Sequence, residues 1–123
     1  MRLQISEVDN QPDTVLARVE GVVDSTTLEE FFSNLSGVFI CELKNLLLDM
    51  SRMSYISSGG FSVLQDAYKK AEARGGTVRI VGASEQVEEL FGVVGFQRLF
   101  AFYEDLDAAL QTLKAADAPG GSG

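Results

Sequence analysis

The run "KNLLLDM", Lys44 to Met50, restricts the fold more than any other segment. It is continuously apolar through its middle and ends at a carboxylate, Asp49. A strand with one wet face alternates apolar and polar residues. This run does not, so it reads as a central strand covered on both faces. The covering layers are legible on either side. Leu28, Phe31, Phe32 and Leu35 recur at i, i+3, i+4 and i+7, the spacing of one helix face. After the strand, Phe61, Leu64, Tyr68 and Ala71 form a second such stripe, ended by Gly75-Gly76.

The remaining segments extend this alternation. "RLQISEV" interleaves Leu3 and Ile5 with polar residues, slipping near Val8, and "TVLARVEG" (Thr14 to Gly21) sets Val15, Ala17 and Val19 on one face. The turn-rich "DNQPD" between them predicts an antiparallel hairpin at a sheet edge. "TVRIVG" is a further strand, and a last short one falls near Leu99 to Phe102. Asp24 to Thr27 cap the first helix, with Thr26 and Glu29 matching a capping box, and that helix fades near Ser36-Gly37. Ser84 caps a short helix carrying Val87, Leu90 and Phe91. Glu104 and Asp105 open a final helix with Leu106, Ala109, Leu110 and Leu113. The expectation is one α/β domain over residues 1–117: a mostly parallel central sheet, an antiparallel edge hairpin and about four helices. Residues 118–123, "APGGSG", have the composition of a flexible tail.

Composition narrows the chemistry. The hydrophobic fraction of 46% supports a real core. A net charge of −8 disfavours nucleic acid and anionic membranes as partners, and suits a protein partner with a basic contact patch. The chain has no histidine, which removes Ser-His-Asp triads, Cys-His dyads and His-based metal sites. The one cysteine, Cys41, cannot form an internal disulfide and reads as a buried small hydrophobe in a reducing cytoplasm. The N-terminus lacks the regions of a signal peptide, and no apolar run approaches the roughly 20 residues that span a bilayer. The expectation is a cytoplasmic protein.

In a parallel sheet, sites gather where loops leave the carboxyl ends of the strands. Three loops are expected to meet there: Gly21 to Thr26, Ser54 to Gly60, and Gly82 to Ser84. The middle one contains Ser57-Ser58-Gly59-Gly60 at the start of a helix. One serine there is explained as a helix cap. A catalytic serine is not supported. "GGFSV" lacks the last glycine of a nucleophile elbow, and Lys69 and Lys70 lie about three turns away. The segment also lacks the Gly-Lys-Ser/Thr of a phosphate-binding loop. Beside the plain cap stands a further reading, a phosphorylation switch, because the first turn of a helix has unpaired N–H groups and partial positive charge that accommodate a phosphate. On this reading the glycines let a kinase approach the backbone closely.

These residues resemble the STAS domain, in its anti-sigma-factor antagonist class. The likeness runs over about residues 2 to 115. It is carried by Asp49, Tyr55, Ile56, Ser57-Ser58-Gly59-Gly60, Phe61, Gly75-Gly76, and Val87, Leu90, Phe91 and Gly95 in order. "VEGVVD", Val19 to Asp24, resembles the acidic element before the family's first helix. The resemblance implies a binding protein, not an enzyme, with no cofactor or metal, monomeric when free. It implies an anti-sigma factor partner that is also a GHKL-type serine kinase, and a metal-dependent serine phosphatase that reverses the modification. By position the phosphate acceptor is Ser58, with Ser57 as the second candidate. Partner contact is expected around Asp24, Ser57, Ser58, Gly59, Gly60 and Phe61. Ser57 stands where the family pattern has Asp, which removes a carboxylate beside the acceptor and offers a second hydroxyl. The alternative implied is a STAS scaffold or adaptor with another protein partner: stressosome-like, response-regulator-coupled or a lipid-transport accessory.

Overall fold

The computed structural model describes residues 1–38 and 43–117. The strands are β1 (Arg2–Val8), β2 (Gln11–Val23), β3 (Asn45–Ile56), β4 (Val78–Val81) and β5 (Ala101–Tyr103). The helices are α1 (Leu28–Val38), α2 (Ser58–Ala73), α3 (Glu85–Val93) and α4 (Leu106–Asp117). The five strands form one sheet in the order β1-β2-β3-β4-β5. β1 and β2 pair antiparallel, and the other three pairings are parallel. This is the expected α/β arrangement with its hairpin edge.

Both faces of β3 are covered, as its unbroken apolar run requires. Leu46, Leu48 and Met50 enter a core shared with Phe31 of α1, Leu64 of α2 and Phe91 of α3. Leu47 points the other way, into a smaller cluster with Leu16, Val81, and Ala109 and Leu113 of α4. α4 covers only part of its face. Beyond it the sheet is charged, with Arg18 3.4 Å from Asp49 and Arg52 3.6 Å from Glu20. The arginines of these pairs are well exposed, so the pairs add little stability and mainly keep that part of the face polar.

Several local expectations change. The hairpin turn is only Asp9–Asn10, with Asn10 at φ 63°, and β2 begins already at Gln11. β5 starts at Ala101, two residues after the expected Leu99, and ends at Tyr103, one after the expected Phe102. β3 does not end at Met50 but continues to Ile56, pairing with Glu20–Val23 beyond its last contact with β4 at Asp49. Met53 and Ile56 are buried there with two exposed residues before each, a spacing that departs from strict alternation where the register against β2 shifts. Ile5 is 44% exposed because β1 lies at the edge. Phe32, placed by its spacing on the buried stripe of α1, is also 44% exposed. Cys41 and residues 118–123 lie outside the described residues.

The turn after α2 shows why two glycines close that helix. Gly75 has φ +74°, and its N–H donates to the Glu72 carbonyl at 3.0 Å. A Cβ on Gly76 would lie 1.9 Å from the Lys44 carbonyl oxygen, a backbone atom that cannot step aside. Gly37, in α1, has open space around it. Gly76→Ala is therefore expected to destabilise by at least about 1–3 kcal/mol, the cost of overpacking. Gly37→Ala is expected to stabilise by about 0.4–1 kcal/mol through the unfolded chain. Urea melts of the two variants check this pair of opposite signs.

Candidate functional site

The site is built where β2 and β3 end together. Val23 is the register partner of Ile56, and the Ser57 N–H donates to the Val23 carbonyl at 2.8 Å. That bond fixes the first residue after β3 against the last residue of β2. Ser57 is extended (φ −80°, ψ 168°) and is the N-cap of α2, its Oγ accepting from the Gly60 N–H at 3.3 Å. Ser58 is the first helical residue. It is exposed, and its hydroxyl has no hydrogen-bond partner among the described residues. The two adjacent serines thus differ: one oxygen is held by the helix end, the other faces solvent.

The glycines serve packing. A Cβ at Gly60 would lie 2.6 Å from Ile56 Cγ1 and 3.0 Å from Val23 Cγ1. One at Gly59 would lie 2.9 Å from Leu28 Cδ2. Gly60 is buried, so the expectation that it opens the backbone to a kinase does not hold; it lets α2 sit directly on the strand ends. Phe61 is 3% exposed and packs edge-on against Phe91 at 4.8 Å between ring centroids. It anchors the helix from below. Within the motif Ser58 is exposed, Ser57 and Gly59 are half-buried, and Gly60 and Phe61 are buried.

Asp24 follows Val23 directly, so it lies at the same end as Ser57. Its Oδ1 accepts from the Thr26 N–H at 2.9 Å and the Thr26 hydroxyl at 2.6 Å. Its own N–H donates to Thr27 Oγ1 at 3.0 Å. Thr27, not Thr26, precedes α1, and the Thr26 hydroxyl that a capping box would use is turned back to Asp24. The Thr26 hydroxyl, then its N–H, hold the Asp24 carboxyl below its ordinary value of 3.8. The third loop does not join this cluster. Gly82 sits against Ser51, and β3 runs on past it at about 3.3 Å per residue.

Exposed apolar groups around the site escaped the sequence reading. Val22 and Tyr55 are register partners, 38% and 45% exposed. Each directly precedes a buried residue, Val23 or Ile56, so its side chain falls on the outer side of the strand end once β3 is extended past Met50. Among the described residues no cluster of His, Cys, Asp and Glu is suited to hold a metal ion. No described helix is long and apolar enough to cross a membrane.

The STAS domain model matches residues 6–109, and the chain belongs to the STAS domain family. It is 27% identical over 116 residues to BtrV of Bordetella bronchiseptica, a protein classed by name as an anti-sigma factor antagonist. That match covers 94% of this chain and 97% of BtrV. The fold is also that of SpoIIAA, an anti-sigma factor antagonist, at 18% identity in both of two states. The unphosphorylated form superposes with TM-score 0.79, covering 92% of this chain and 96% of that one. The phosphorylated form, from Bacillus, gives TM-score 0.71, covering 91% and 99%. A sulfate transporter family protein from Wolinella succinogenes gives TM-score 0.69 at 20% identity, covering 83% and 85%.

Two outcomes follow from the cap and the turn. Ser57→Ala should cost about 0.5–2 kcal/mol as a lost N-cap, whereas Ser58→Ala should stay within about 0.5 kcal/mol; thermal melts separate them. The second concerns pH. A carboxyl whose folded pKa is depressed contributes stability above its unfolded pKa, and loses it as pH falls through the folded value. Carbon-detected NMR should find Asp24 titrating below 3.8, the value the turn lowers, and Thr26→Val should move it back up.

Proposed function

We propose that this protein is an anti-sigma factor antagonist switched off by phosphorylation of Ser58. The observation that supports it best is the division of labour between the two serines. Ser57 is held as the cap, while Ser58 offers an exposed hydroxyl in the first turn of α2. The partner is an anti-sigma factor that is also a GHKL-type serine kinase, and a metal-dependent serine phosphatase reverses the mark. The protein acts by binding and carries out no reaction of its own. It works in the cytoplasm, as a monomer when free.

The geometry gives the switch a physical basis. A phosphate on Ser58 lies at the N-terminus of α2, whose unpaired N–H groups and positive end favour an anion, so the domain tolerates it. A phosphoserine adds about −1.5 to −2 charge, a modest change on a net charge of −8. The effect is therefore local. Within a docked interface that charge is desolvated or set against the partner's own carboxylates or nucleotide phosphates, at a cost of several kcal/mol. About 2.8 kcal/mol is already a hundredfold in affinity. Asp24, one residue from the strand carbonyl that holds Ser57, lies in the same contact region.

A second reading is a STAS scaffold or adaptor with a different protein partner. Ser57 in the place of the family's Asp favours it, and so does the occurrence of this fold in a sulfate transporter family protein. Binding and modification separate the two. With the GHKL-type kinase recovered from the source cell, isothermal titration should show Ser58→Asp binding at least about a hundredfold more weakly than wild type. Ser58→Ala should bind yet resist phosphorylation, and Ser57→Ala should still be phosphorylated. Asp24→Ala should weaken binding more than it lowers Tm. Wild-type affinity in Ser58→Asp would sink the assignment. Failure to recover any such kinase with folded protein would favour the adaptor.

A further inference from the structure

A groove between α1 and α2 opens beside the switch. Leu28, Phe32, Gly59 and Val63 line it, Glu29 and Asp66 stand on its rim, and its volume is about 550 Å³. Gly59 follows Ser58, so the groove begins one residue from the exposed hydroxyl. Phe32 is the feature that needs an explanation. Its neighbours Phe31 and Leu35 are buried, yet its ring stands 44% exposed on the groove. With Leu28 and Val63 it makes a small concave apolar floor, of the kind that receives an anchoring side chain. The rim is acidic. Lys70 lies 5.5 Å from the centre of the Phe32 ring, but Asp66 holds it at 2.8 Å. Glu29 is exposed at the start of α1 and balanced by no ion pair among the described residues.

Resting on the antagonist reading, we propose that this groove is the docking site for an amphipathic helix of the anti-sigma factor, apolar on one face and edged with Lys or Arg. Paired helices present a furrow that accepts the side chains of a third helix. The apolar floor takes its anchors, and the carboxylates on the rim attract its basic edge, which favours encounter with a chain of net charge −8. The groove is separate from the phosphate position. It contributes to binding of the phosphorylated and unphosphorylated forms alike, while Ser58 decides between them.

Two measurements test this. In the first, the full chain is titrated by nitrogen-15 NMR with a synthetic helical peptide of Leu, Ala and Lys, and with its counterpart carrying Glu for Lys. The Lys peptide should shift the signals of Leu28, Phe32, Gly59 and Val63, and the Glu peptide should not. Phe32→Ala and Glu29→Lys should each weaken the Lys peptide about tenfold, as for an anchor and a rim charge. Glu88→Lys, an equal charge change on exposed α3, should alter it less than about twofold. All three positions are exposed, so the variants should fold, and melting curves verify that. Equal weakening by both charge reversals, or shifts centred elsewhere, would overturn the groove. In the second, the same variants are titrated with the kinase. Wild-type affinity in Phe32→Ala and Glu29→Lys, with Ser58→Asp weakened, removes the groove and leaves the switch standing. Wild-type affinity in Ser58→Asp with the groove variants weakened does the reverse.

Discussion

One backbone hydrogen bond, from the Ser57 N–H to the Val23 carbonyl at 2.8 Å, sets the relation on which the rest of the site depends. It pins the start of α2 to the end of β2 while Ser57 is still continuous with β3. Beneath it Gly60 leaves no room for a side chain, because Val23 and Ile56 fill that space. The helix therefore begins at a fixed height above the sheet. Ser57 is turned inward to cap, and Ser58 is turned outward. Had residue 60 carried a Cβ, α2 would have to lift, and the contacts of Phe61 with Phe91 and Phe96 would loosen with it.

The same constraint explains the organisation of this end of the domain. β2 and β3 run on as a two-stranded ribbon past the last pairing with β4. The ribbon carries the Ser57–Gly60 segment away from the loop at Gly82 and places it beside the turn that Asp24 and Thr26 build before α1. Two helices start side by side from the two strand ends, and an apolar furrow forms between them. An exposed hydroxyl, an ordered acidic turn and a partly wet aromatic ring are thus set close together by the chain's own packing.

Much of this was legible in the residues. The unbroken Leu46–Leu48 run demanded cover on both faces, and the two core clusters supply it. Apart from Phe32, the helix stripes and the glycine stop after α2 follow local rules that tertiary structure did not override. What stayed hidden depends on contacts distant in sequence. The extension of β3 through Ile56 is held by pairing with β2, and its residues lack a continuous apolar run. Phe32 has the spacing of a core residue, but it lines the open groove between α1 and α2. The cap was legible as "Ser57 or Ser58"; only the position of the Gly60 N–H chooses between them. Gly60 looked like access for an enzyme and is instead required by close packing against Ile56 and Val23.

The central claim is that packing makes the two serines unequal, one structural and one available. Phosphate mapping tests it most directly: wild-type chain incubated with ATP and the recovered kinase, then fragmented for mass spectrometry between residues 57 and 58. The account predicts one phosphate, on Ser58, with Ser57 unmodified. A phosphate on Ser57, or an even distribution over both, would contradict it.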